Sequence, residues 1–197
     1  MSTVARTLVP ESVRSTKLTR HAAQCVAGSL LMAVCAHVSF PLFFTPVPLT
    51  LQTFGVLLIG LTLSPGVAFA SLALYLLEGA AGLPVFSPYP HLLGGVAQLF
   101  GPTGGYLLSY PAVVALIAVL RRTLARQPLS RFATHTIAAC AGTVFFLIAG
   151  ALWLAVYTHS LAAAWTLAVL PFLPGEAIKI VAAAALTSTG FTARLQR

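Results

Sequence analysis

The chain has 197 residues, 58% of them hydrophobic and only 7% charged, with a mean hydropathy of +0.95. A soluble domain of this size carries about a quarter of its residues as charges, so the composition excludes water as the main solvent and points to one membrane-embedded domain. The formal charge of +8 does not indicate nucleic acid, because the cations fall in three clusters between long apolar runs rather than over one face.

Residues 1–20 are polar and basic, with Arg6, Arg14, Lys17 and Arg20. The apolar stretch that follows is too long for a signal peptide, so it is expected to be a retained first span behind a cytoplasmic tail. No Asp, Glu, Lys or Arg occurs from His21 to Leu77, from Gly79 to Leu120, or from Phe132 to Gly175. Further cations gather at Arg121, Arg122, Arg126 and Arg131, and at Arg194 and Arg197. Short basic segments stay on the cytoplasmic side, so an even number of crossings separates each pair of clusters.

At about 20 residues per crossing, four helices fit before Arg121 and two after Arg131. The expectation is an all-α, polytopic protein with six transmembrane helices, at roughly 21–40, 49–63, 66–83, 104–120, 133–156 and 174–192. Both termini are expected in the cytoplasm, with a membrane domain over 21–193 and a short tail over 194–197. Pro41, the Thr45-Pro46-Val47-Pro48 segment and Ser64-Pro65-Gly66 mark breaks between helices, and Pro171 and Pro174 precede the last one. The apolar runs are continuous rather than alternating, which favours helices over a barrel.

In the first span Ala23 and Ala27 are spaced four apart, as are Ser29 and Ala33, so one face suits close packing within the chain or docking to a partner helix. In the second, Thr50, Gln52 and Thr53 bring polar groups to the outer end. Such groups serve as interhelical glue, and Gln52 has both the donor and the acceptor to read an amide-like ligand. Glu78, late in the third span, suits either snorkelling to the interface or a ligand site.

Gly101-Pro102-Thr103-Gly104-Gly105-Tyr106 lets backbone approach either a neighbouring helix or a ligand. It is not a nucleotide loop, since GxxxxGK[ST] occurs nowhere in the chain. Glu176 and Lys179, three apart in the last span, lie on adjoining parts of one helix face. They form either a self-satisfying ion pair or, as favoured here, a ligand grip with an acceptor and a cation side by side.

Cys25, Cys35 and Cys140 have no CxxC spacing and read as small buried hydrophobes. His21, His37, His91, His135 and His159 lack metal spacing, and there is no GxSxG. No metal, cofactor or catalytic residue is expected, and the chain does not read as an enzyme.

Four motifs then occur in order: Phe44-Thr-Pro-Val-Pro-Leu-Thr-Leu-Gln-Thr53, Gly82-Leu-Pro-Val-Phe86, Gly101-Pro-Thr-Gly-Gly-Tyr106 and Pro174-Gly-Glu-Ala-Ile-Lys179. From about Ala22 to Leu186 the chain resembles the BioY family, the biotin-specific substrate-binding S components of energy-coupling-factor (ECF) transporters. The resemblance implies a six-helix fold in the inner (plasma) membrane of a bacterium that captures biotin from outside. It implies binding roles for Glu176 and Lys179, less directly for Gln52 and Tyr106, and partner docking through Ala23 and Ala27; Gly104 and Glu78 are added as binding candidates from the residues alone. Glu176 stands where the family pattern has Asp, which lengthens the arm and keeps the charge. The outer loop from Ser87 to Gly95 departs from the family's glycine-rich version.

Partner ATPase and coupling subunits are implied as the energy source, unless the chain acts alone. The rivals are the same architecture for another vitamin, and a proton-coupled carrier using Glu78 or Glu176.

Overall fold

The computed structural model of the chain describes residues 11–88 and 94–189. In chain order the helices are α1 (Glu11–His37), α2 (Gln52–Thr62), α3 (Pro65–Ala80), α4 (Val96–Leu99), α5 (Gly104–Leu124), α6 (Arg131–Thr158), α7 (Leu161–Ala168) and α8 (Leu173–Ser188). A two-residue antiparallel pair, β1 (Ser39–Phe40) and β2 (Leu49–Thr50), sets Ser39 opposite Thr50 between α1 and α2. The architecture is thus mainly helical rather than purely so.

Local sequence accounts for most boundaries. α3 opens on Pro65, which suits the first turn because its missing N–H would have no helical acceptor there. The hydroxyl of Ser130 accepts from the Ala133 N–H at 3.1 Å and caps α6, while Ser160 does the same for α7 from Ala163 at 3.2 Å. α6 ends on His159, whose φ of 51° turns the chain sharply into α7.

Several boundaries differ from those expected. α1 begins at Glu11, so the helix runs through Arg20 instead of starting after it. The second and third spans are shorter than expected, with 11 and 16 residues. The last one is preceded by a separate helix, α7, bent by 50° from α8. Among the described residues α5 and α6 are each long and apolar enough to cross a membrane, and α7 with α8 passes the same test only when the bent pair is counted as one span.

α5 lies against α6, α3 and α2, while α1 packs on α3 and α2, and α8 packs on α2 and α6. The shared core holds Leu57, Ile59, Leu72, Tyr75, Val113, Val114, Ile117 and Phe146. Small residues set the close approaches: a Cβ at Gly150 of α6 would fall 2.1 Å from the ring of Tyr106 on α5. The outer faces remain apolar, with Leu30, Val34, Phe69, Val144, Leu152 and Val181 all exposed. Helices apolar on both sides are those of a bundle in lipid. Cys35 is buried as expected and Cys25 half-buried, but Cys140 is exposed on α6.

Because α2 and α5 run in opposite senses to α3 and α6, the start of α2, the start of α5 and the start of α8 share one end of the bundle. The α2–α3 turn and the end of α5 share the other, where Arg121 Nη2 donates to the Leu63 carbonyl at 3.1 Å.

Candidate ligand-binding site

The end of the bundle where α2, α5 and α8 begin encloses a cavity. Its walls come from every element there: Thr50, Gln52 and Thr53 at the β2–α2 junction, Ser87 after α3, Gln98 of α4, Thr103 just before α5, Tyr106 and Tyr110 of α5, Phe146 of α6, Phe172 at the bend, and Glu176 and Lys179 of α8. Space open to a water's centre is about 40 Å³, which is room for a few waters.

α8 brings its two charges here because it starts at the bend. Glu176 lies in the first turn, where the positive end of the helix favours an anion, and Lys179 follows one turn later. Lys179 Nζ donates to Glu176 Oε1 at 2.7 Å, to Thr53 Oγ1 at 2.7 Å and to the Thr50 carbonyl at 2.8 Å. The Thr53 hydroxyl in turn donates to Glu176 Oε1 at 2.7 Å. An ammonium has three donors, and here all three are engaged.

The two residues are 2% and 8% exposed, so a charged pair sits where desolvation costs several kcal/mol per ion unless every group is satisfied. One group is not. Glu176 Oε2 is buried with no hydrogen-bond partner among the described residues. The hydroxyls of Ser87 and Thr103, which line the same cavity, are also buried without one. Buried polar atoms are seldom left unpaired, and here an acceptor and two hydroxyls belong to residues that line one pocket. The remaining polar wall is already committed. Gln52 Nε2 donates to the Tyr75 hydroxyl at 2.7 Å and Thr50 Oγ1 donates to Gln52 Oε1 at 3.2 Å. The Tyr106 hydroxyl donates to the Ala168 carbonyl. Tyr110, Phe146 and Phe172 supply apolar surface.

Of the candidates read from the sequence, Glu176, Lys179, Gln52 and Tyr106 meet at this cavity. Gly104 and Glu78 do not line it. Gly104 is a packing residue: a Cβ there would sit 2.0 Å from the Leu99 carbonyl oxygen and 3.0 Å from the Trp153 indole nitrogen. Glu78 turns to α1 and accepts a hydrogen bond from the Ser29 hydroxyl. Ala23 and Ala27 are exposed on α1 towards the opposite end. Of the outer loop, Ser87 lines the cavity, and residues 89–93 lie outside the described residues.

Sequence reasoning did not single out Ser87, Thr103, Tyr110, Phe146 or Phe172. Thr103 stood inside the glycine-rich motif and Ser87 at the start of the outer loop, so a signal existed for both. The aromatics carried none, because an apolar residue in an apolar helix looks the same whether it faces a ligand, a helix or lipid.

The sequence profile of the BioY family matches residues 5–196. A protein of Pyrococcus horikoshii named "Probable biotin transporter BioY" is 38% identical, over 70% of this chain and 76% of its own length. A Bacillus subtilis protein of the same name is 37% identical, over 82% of this chain and 90% of its own. Among solved structures, the S component for biotin from an ECF-type ABC transporter superimposes with a TM-score of 0.79, covering 88% of this chain and 91% of that one at 24% identity. At that identity the likeness establishes the fold. The match along nearly the whole length, together with the relatives above 30% identity, places the chain by descent: it belongs to the BioY family.

Proposed function

We propose that this chain binds biotin in the α2–α5–α8 cavity and acts as the high-affinity capture component for biotin uptake across the inner membrane of a bacterium. The observation that carries the reading is the set of unpaired buried atoms beside a buried cation. Biotin presents a ureido group with two N–H donors and one carbonyl, an apolar thiophane ring, and a carboxylate. Glu176 Oε2 is a charged acceptor suited to a ureido N–H, and charge-assisted bonds of this kind are about twice as strong as neutral ones. The Ser87 and Thr103 hydroxyls are donors for the carbonyl or carboxylate oxygens, and the Lys179 ammonium joins them once it releases one of its three acceptors. Tyr110, Phe146 and Phe172 offer the apolar wall for the ring, in the usual mix of a small-ligand pocket.

The space of about 40 Å³ is too small for such a guest, so binding requires the walls to part. The relatives named as biotin transporters support the choice of vitamin. Six crossings with both termini in the cytoplasm fit the basic residues at the end of the bundle away from the cavity, which would then face outward. Powering by ECF ATPase and coupling subunits accords with the family and with the lack of a nucleotide loop in the sequence.

The test is titration of the detergent-purified chain alone with biotin, in competition with thiamine and riboflavin. Saturable biotin binding that neither competitor displaces is expected. Displacement by either vitamin, or no binding of biotin at all, would sink the reading.

A further inference from the structure

At the end of the bundle opposite the cavity is a recess of about 640 Å³, walled by Lys17, Arg20 and His21 of α1, the α2–α3 turn, and Arg121 and Arg122 at the end of α5. Among the described residues no carboxylate lines it. Arg121 is anchored through its bond to the Leu63 carbonyl, and its Nε is buried without a partner among the described residues. Along α5, Arg121 is about 22 Å from Tyr106, so the recess and the cavity are separate sites near opposite faces of a bilayer core.

The recess does not end at its basic rim. Arg20, Gln24, Thr62 and Leu63 also line a second hollow, an apolar trench of about 480 Å³. The trench runs along α1 and α2 between Ala23, Ala27, Leu31 and Ile59. A cationic socket that opens directly into an apolar trench parallel to the membrane helices has the shape and polarity of one kind of molecule. It is a phosphate ester joined to a hydrocarbon chain.

We propose that this composite hollow is a binding site for an anionic phospholipid, with the phosphate among Lys17, Arg20, Arg121 and Arg122 and one acyl chain in the trench over Ala23 and Ala27. The small side chains of Ala23 and Ala27, with Gly28 beside them, leave room for a chain to lie along the trench. The cations supply the selectivity, since each Lys or Arg near an anionic headgroup contributes about five-fold in affinity. A zwitterionic lipid fills the trench equally well but returns a positive group to the same socket, and a free phosphate ester fills the socket but leaves the trench empty.

The experiment is native mass spectrometry of the full-length chain in detergent, with phosphatidylglycerol, phosphatidylcholine and glycerol phosphate offered singly and in pairs. Phosphatidylglycerol is expected to be retained over the other two, and added salt to weaken its preference over phosphatidylcholine. Lys17→Gln combined with Arg122→Gln is expected to lower its retention about twenty-five-fold. Ala27→Leu is expected to lower lipid retention while leaving glycerol phosphate binding unchanged. Equal retention of phosphatidylcholine overturns the proposal, and so does glycerol phosphate bound as tightly as the lipid, which would mark a soluble-phosphate site. The lipid comparison uses the unaltered chain, so the proposal stays open to refutation even if a variant misfolds.

Discussion

Lys179 and Glu176 form a closed circuit with Thr53, and the two carboxylate oxygens of Glu176 do different work. Oε1 receives both Lys179 and the Thr53 hydroxyl, while Oε2 has no partner among the described residues. Lys179→Met keeps the length of the side chain but removes three donors. Biotin affinity is expected to fall about ten- to hundred-fold, as for a lost hydrogen bond to a charged group, in a chain that still inserts; titration of the purified variant measures it. Ser87→Ala and Thr103→Ala separate ligand contact from architecture. Their hydroxyls bond nothing among the described residues, so melting of the unliganded chain should shift little while biotin binding weakens by about ten-fold for each. A loss of stability without a loss of affinity would make them packing residues. At this scale the charged part of the candidate cavity was legible, because an ionisable residue in an apolar run stands out against its background. Glu78 stood out equally but does not line the cavity, and the Ser29 hydroxyl that donates to it comes from a helix 49 residues away that nothing local announces.

The elements position these side chains through two local devices. One is the turn from α6 into α7, made by the left-handed His159 and the Ser160 cap, which sets α7 and with it the Ala168 carbonyl beside the Tyr106 hydroxyl. Ser160→Ala should cost about 1 kcal/mol of stability, read as a lower melting temperature of the detergent-solubilised chain, and loosen the Ala168 carbonyl that holds Tyr106. The other device is the close contact of α5 with α6 at Gly150. Gly150→Leu would push into the Tyr106 ring, cost about 1–3 kcal/mol, and reduce biotin binding with it; unchanged melting and affinity would show that α6 can simply move aside. The α5 and α6 helices were readable from their length and flanking charges. α7 was not, because residues 132–175 are uncharged throughout and the break depends on one serine cap and one backbone angle, which apolar periodicity does not register. The expected helix at 49–63 contains α2, and only the strand pair before it, which takes up Leu49 and Thr50, was not read.

Across the whole molecule, charge is sorted by depth: cations around the recess at one end, the Glu176–Lys179 pair at the other, and a tightly filled apolar core between them. The proposed six-crossing topology predicts that reporters fused at the N-terminus, near residue 127 and at the C-terminus all report the cytoplasm, whereas one placed near residue 90 reports the outside; any split among the first three would break it. The sorting was legible in the sequence because it is a property of spacing. The composite hollow was not, because it needs α1, α2 and α5 to meet. The narrowness of the ligand cavity has a consequence in time. A site with room for a few waters and a fully engaged ammonium receives its ligand only when Lys179 lets go and the aromatic wall parts. Arrival should then be paced by the protein rather than by collision. In stopped-flow mixing the observed rate of biotin binding should level off as concentration rises, and the plateau would measure how often the closed circuit opens by itself.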